Sequence, residues 1–159
     1  MLPDACAILL AIVSGSLPDS PSFAVKNAWL TGTIGTNPIL PTKTEILRNS
    51  ANRSRVPKEF LDRTATSLGA KDCSSTMLNA GMRVATWQED RGQDGRPVSP
   101  DRQPAIEFYP IRLSKDGRFA LVTWFDYWAL EASDFHFAIL RYNKKGWRII
   151  RDGSFGPVA

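Results

Sequence analysis

Residues 106 to 152 read IEFYPIRL (106–113), SKDG (114–117), RFALVTWFDYWAL (118–130), EASD (131–134), FHFAILRY (135–142), NKKG (143–146) and WRIIRD (147–152). Four runs rich in β-branched and aromatic residues alternate with three short polar connections, which is the pattern of strands joined by hairpins. Gly117 and Gly146 each close a connection. A type I turn followed by a left-handed residue needs glycine at that place, because glycine has no Cβ to clash at positive φ. The stretch therefore predicts a four-stranded antiparallel meander.

Within it, the run Phe119 to Trp128 is apolar on both parities. Phe119, Leu121, Thr123, Phe125 and Tyr127 fall on one face, and Ala120, Val122, Trp124, Asp126 and Trp128 on the other. A strand with two apolar faces is central and covered on both sides. Phe135 to Tyr142 repeats the pattern, and Trp147, Ile149 and Ile150 complete the last strand. Covering both faces in so short a chain calls for a strongly curved sheet, for helices on its concave side, or for a second copy on the convex one.

The covering helices are sought upstream. Thr42-Lys43-Thr44-Glu45 is a capping box, predicting a helix over 43–49 with Ile46 and Leu47 on its apolar face. Pro57 suits a first helical position, and Phe60, Leu61, Ala65 and Leu68 form one stripe that ends at Gly69. On the polar side Glu59 and Arg63 have the favourable i,i+4 order. A short turn follows Ser74-Ser75 and carries Met77 and Leu78. Strands are expected at 26–34, weakened by Gly32, and at 82–88. The Pro-, Gly- and charge-rich segment at about 89–104 reads as a mobile loop inside one domain.

At 159 residues, with 43% apolar and 23% charged residues, the chain has the composition of one ordinary globular domain. The fold class is α+β: two or three N-terminal helices packed on a curved antiparallel sheet of four to six strands that ends in the meander. The net charge of +4 is thinly spread. Residues 43–72 hold seven Lys or Arg against four acids, without the concentrated stripe of a nucleic-acid binder, so no nucleic-acid partner is expected. Arg48, Arg53, Arg55 and Lys58 read as a solvated connection between helices.

Ala5 to Val13 (ACAILLAIV) is too short to span a bilayer. With Ser22-Phe23-Ala24 after it, residues 1–24 have the outline of a signal peptide, and a periplasmic or secreted domain would then occupy 25–159. Val13-Ser14-Gly15 is an alternative cleavage site. Asp4, standing where such signals carry positive charge, leaves a second reading open: a buried N-terminal helix or strand. Cleavage would leave Cys73 as the only cysteine; retention would leave Cys6 and Cys73, with nothing in the sequence to favour a bridge between them.

Candidate chemistry centres on the single histidine. His136 and Asp126 flank the connection that contains Glu131, and a carboxylate across a strand pair would orient an imidazole. Trp124 and Trp128 on the same parity would shift both pKa values. A satisfied polar pair within an aromatic sheet is the structural alternative. Tyr109, Trp124, Tyr127 and Trp128 are the candidate lining of an apolar pocket, or else core aromatics. One histidine, with no HExxH or DxDxDG, leaves no metal constellation, and no GxxxxGK, GxGxxG or GxSxG occurs. No cofactor is expected.

The stretch from Leu113 to Ile150 (LSKDGRFALVTW, FAILRY, GWRII) resembles the C-terminal meander of small exported bacterial proteins and the closing strands of cone-shaped nuclear-transport-factor-2-like domains. What the resemblance implies is helices preceding a curved antiparallel sheet, a scaffold that hosts enzymes and binding proteins alike. The sequence thus points to an exported, non-catalytic binding or interaction module for a small apolar ligand or a protein partner, with no membrane span. A small enzyme using His136 and Asp126 is the alternative, and a homodimer through the outer sheet face is a third reading.

Overall fold

The computed structural model describes residues 3–14, 29–32, 34–35, 39–48, 56–85, 105–127 and 134–155. Its elements run α1 (Ala5–Ser14), β1 (Trp29–Thr31), α2 (Lys43–Leu47), α3 (Lys58–Leu61), β2 (Thr66–Ser67), α4 (Ser74–Asn79), β3 (Arg83–Ala85), β4 (Ala105–Phe108), β5 (Arg112–Leu113), β6 (Phe119–Tyr127), β7 (Asp134–Asn143) and β8 (Gly146–Phe155). The described strands form one eight-stranded sheet. The expected loop at 89–104 lies outside the described residues.

The meander is present. β6 pairs antiparallel with β7, and β7 with β8. Gly117 (φ 70°) and Gly146 (φ 108°) take the left-handed conformation their turns require. The first run is two strands, because Pro110 interrupts the ladder: β5 pairs with β6 at Leu121 and Ala120, and β4 pairs with it from Trp124 to Tyr127. Beyond β4 the sheet continues through β1, which runs parallel to both β4 and β3. The fold is α+β with a largely antiparallel sheet.

Both faces of β6 are covered, by different helices. On one face Ala120, Val122 and Trp124 pack with Ala138 and Leu140 beneath α1 and Met77 of α4. On the other, Leu121 packs with Phe137, Ile139 and Phe155 against Ile46 of α2 and Phe60 of α3.

The capping box of α2 forms in both directions. The Glu45 N–H donates to Thr42 Oγ1 (3.2 Å), and the Thr42 N–H donates to Glu45 Oε1 (2.9 Å). Ile46 is buried, whereas Leu47 is 39% exposed. Arg151 of β8, itself buried, donates from Nη1 to the Ile46 carbonyl at 2.9 Å and so satisfies a carbonyl at the end of this short helix.

The helix expected from Pro57 to Gly69 stops at Leu61. Arg63 takes a left-handed φ of 62°, and the Thr64 and Ala65 N–H groups fold back onto the Glu59 carbonyl. Asp62 stabilises the reversal by accepting from the Thr64 N–H (3.1 Å). Thr66 and Ser67 then add to the sheet as β2. Glu59 does not turn to Arg63; its Oε2 accepts the Lys115 N–H at 2.9 Å.

Residues 5–14, read above as part of an export signal, form a core helix. Ala5, Cys6, Ile8, Leu9, Ile12 and Val13 are all buried, a helical stripe lying against the sheet and α4. Asp4 begins the helix, its Oδ1 accepting the Cys6 N–H at 2.9 Å, and it pairs with Lys71 at 3.3 Å. A disulfide joins Cys6 to Cys73, across 67 residues. The buried N-terminal helix is therefore the arrangement seen, and the bridge that nothing in the sequence favoured is formed. Residues 15–24, including the cleavage motif Ser22-Phe23-Ala24, lie outside the described residues. No described helix is long and apolar enough to cross a membrane.

Candidate functional site

The register of β6 and β7 places Trp124, not Asp126, opposite His136; Asp126 stands opposite Asp134. Asp126 and His136 are thus diagonal neighbours, whose Cα atoms sit roughly 7–8 Å apart in an antiparallel pair. The direct pairing expected from the sequence does not occur in the backbone register. The His136 ring stacks on Trp124, with centroids 5.7 Å apart and planes inclined by 18°. Trp124 is 1% exposed and tilts against Phe108 at 6.2 Å, inside the core beneath α1.

Of the four expected pocket aromatics, Tyr109 and Trp124 have described side chains, and these two lie on opposite faces of the sheet. Tyr109 is half-buried, donates its N–H to the Thr123 carbonyl, and packs its ring 6.2 Å from Phe135. Phe135 belongs with Phe155 and Phe137 on the α2–α3 side of the sheet, whereas Trp124 lies on the α1 side. The Tyr127 backbone pairs with Ala105. Trp128 and Glu131 lie outside the described residues. No group of three metal-ligating side chains occurs among the described residues.

No protein-family model, curated protein or solved structure matches the chain.

Two adjoining cavities open on the α2–α3 side, at the end of the sheet where the two hairpin turns lie. One, of about 600 Å³, lies between the start of α3 and the 114–118 turn; Lys58, Glu59, Asp116 and Phe119 are among its walls. The other, of about 910 Å³, is bounded by the β7–β8 hairpin, with Lys144 and Arg148 in its lining. Arg118, Arg141 and Ile150 line both, so the two form one cleft. Both volumes fall within the usual range for small-ligand sites.

The local sequence explains why the arginines meet there. Asn143 pairs with Gly146 around the two-residue turn Lys144-Lys145, so Tyr142 falls opposite Trp147 and Arg141 opposite Arg148. In the β6–β7 ladder Arg141 stands opposite Phe119, and the Tyr142 N–H donates to the Arg118 carbonyl at 2.8 Å. The Arg141 guanidinium rests 5.8 Å above the Phe119 ring, a cation–π arrangement. Ile150 reaches the same floor because a bulge between Ile139 and Leu140 shifts the β7–β8 register.

The acids of the cleft are engaged at its far end. Asp116 Oδ1 accepts from Ser114 Oγ (2.7 Å) and the Arg118 N–H (3.0 Å). The Ser114 hydroxyl chiefly, then the Arg118 N–H, hold its carboxyl below the ordinary value of 3.8. Glu59 is occupied by the Lys115 N–H. Of the basic residues between the helices, Lys58 reaches the cleft. Arg48 caps the end of α2, and Arg53 and Arg55 lie outside the described residues. The residues missed from the sequence are Arg118, Arg141 and Arg148. The signal for Arg141 and Arg148 was the symmetric pairing that a two-residue turn at Lys144-Lys145 imposes.

Proposed function

We propose that this protein is a non-catalytic binding module of an exported, oxidising compartment, and that it takes its ligand in the cleft between α3 and the two hairpin turns. The observation that carries the reading is that Arg118, Arg141 and Ile150 are shared by the two cavities, which sets exposed cationic groups beside an apolar floor. A few placed polar groups on an apolar base are what small-ligand sites generally offer. The Cys6–Cys73 bridge supports the compartment, since structural disulfides persist where the surroundings are oxidising.

The cleft replaces the aromatic pocket in this reading, because Trp124 is spent on the core and Tyr109 packs on the other side of the sheet. The register weighs against the acid–base alternative, since Trp124 and not Asp126 stands opposite His136, whose ring lies nearly parallel to the buried indole.

A thermal-shift screen of charged and apolar small molecules tests the reading. A ligand at a hundred times its Kd stabilises the folded state by about 2.7 kcal/mol. Shifts lost in Arg141→Gln and kept in His136→Gln are expected. Shifts that survive Arg141→Gln and vanish in His136→Gln would overturn it in favour of a site at the histidine.

A further inference from the structure

We infer that the cleft recognises a compact diphosphate, two adjacent phosphate groups with or without a small organic tail. The inference rests on the binding-module reading and adds the chemistry of the ligand. Its first support is a like-charge arrangement. Arg141 and Arg148 are direct cross-strand partners, and like charges placed directly opposite one another destabilise a sheet. Arg118 and Lys144 border the same 910 Å³ cavity, whose lining contains no carboxylate. Among the described residues no side-chain ion pair joins any of these four cations to an acid. Arg141, Lys144 and Arg148 have no acid beside them in that lining, and Arg118 is offset only in part by Asp116, so the hollow keeps a net positive charge that attracts a multiply charged anion.

The second support is the kind of cation. Three of the four are guanidiniums, planar forks that bind phosphate oxygens in pairs, whereas an ammonium acts as a point charge. Arg141 is steadied over the Phe119 ring, which reduces the rotamer freedom lost on binding. The third support is charge. A diphosphate carries more negative charge and more acceptor oxygens than a single phosphate, so it can engage more of these cations at once. Phe119 and Ile150 in the adjoining part of the cleft offer an apolar bed for whatever the diphosphate carries. On the far side, Asp116 and Glu59 are turned to backbone N–H groups and bound the anionic end of the site.

Titration calorimetry of the full chain with inorganic pyrophosphate, and with inorganic phosphate and sulfate at matched ionic strength, tests the inference. Pyrophosphate should bind at least about tenfold more tightly than either monomeric anion, and Arg141→Gln/Arg148→Gln should lose at least about tenfold, the loss expected for charge-assisted hydrogen bonds. Arg148→Glu should abolish binding while raising the melting temperature, because it turns a repulsive cross-strand pair into an attractive one. That rise separates a lost site from a lost fold. Adenosine diphosphate and a short prenyl diphosphate, run in parallel, distinguish a ring-bearing from a hydrocarbon-bearing source by which gains over pyrophosphate.

Equal affinity for phosphate and pyrophosphate, or pyrophosphate binding untouched by the double substitution, would overturn the inference. So would an oligothymidylate that binds more tightly and is not displaced by pyrophosphate, since the cations would then be part of a nucleic-acid track. If pyrophosphate fails while another small molecule gives an Arg141-dependent thermal shift, the diphosphate assignment falls and the binding module stands. If no small molecule gives such a shift, both fall.

Discussion

Replacing both cysteines, Cys6→Ser/Cys73→Ser, tests the role of the N-terminal helix. The bridge closes a loop of 67 residues. In the chain-entropy treatment a loop of that length removes roughly 14–15 cal/mol/K from the unfolded state, about 4 kcal/mol at 25 °C. For a domain of this size each kcal/mol moves Tm by about 2–4 °C, so the variant should melt roughly 8–16 °C lower. The folded contacts of α1 remain, because Ile8, Leu9 and Ile12 are buried independently of the sulfurs. The variant should therefore stay cooperative and lose midpoint in urea. Wild type in a strong thiol reductant should reproduce it. A truncation lacking residues 1–24 should do worse, since it uncovers the face of β6 that bears Val122 and Trp124. If the truncated chain unfolds with the wild-type midpoint, or if the double substitution shifts Tm by less than about 2 °C, then α1 is a detachable segment and the reasoning fails.

Three further outcomes follow from local geometry. A Cβ at Gly32 would lie 2.7 Å from Ser74 Cα, where the Cys73 N–H also bonds the Gly32 carbonyl, so Gly32→Ala should cost about 1–3 kcal/mol in urea unfolding. Gly35→Ala, whose Cβ would meet nothing closer than 3.8 Å, is the near-neutral control. Arg151→Met leaves the Ile46 carbonyl without its guanidinium donor and should cost about 1.5–3 kcal/mol; an unchanged midpoint would remove that contact from the account. Asp62, Asp72 and Asp116 have carboxyls held below 3.8, chiefly by the hydroxyls of Thr64, Ser74 and Ser114 respectively. Their folded pKa lies below the unfolded one, so their stabilisation is present above pH 3.8 and is lost as pH falls through the folded values. Urea midpoints measured down that range should fall less steeply in the triple Asp→Asn variant, and identical acid limbs would contradict the assignment.

The parts of the fold that were legible in the sequence are those set by short-range chemistry. Gly117 and Gly146 marked the turns, Thr42 with Glu45 marked a helix start, and the doubly apolar β6 announced a sandwiched strand. The parts that were hidden depend on contacts distant in sequence. The stripe from Phe60 to Leu68 fits a helix, yet Arg63 adopts a left-handed φ and β2 pairs with β5, which no local pattern announces. ACAILLAIV has the hydropathy of a leader and of a core helix alike, and the Cys73 that bridges to it lies 67 residues away. The parallel partners of β1 are equally remote.

The site divides in the same way. The length of the connection between Asp126 and His136 does not fix the register, and the ladder sets Trp124 opposite the histidine. Arg141 and Arg148 follow from the turn at Lys144-Lys145 by counting outwards, so this pair was legible. The floor residue Ile150 was not, because it reaches the cleft through a bulge.

Backbone amide resonances followed during titration with pyrophosphate test most directly whether ligand binds beside the hairpin turns and away from the histidine. Shifts should concentrate at residues 118–119, 141–144 and 148–150, with His136 and Trp124 unmoved. Perturbations centred on His136 and Trp124, with the arginine amides silent, would contradict binding at the turns.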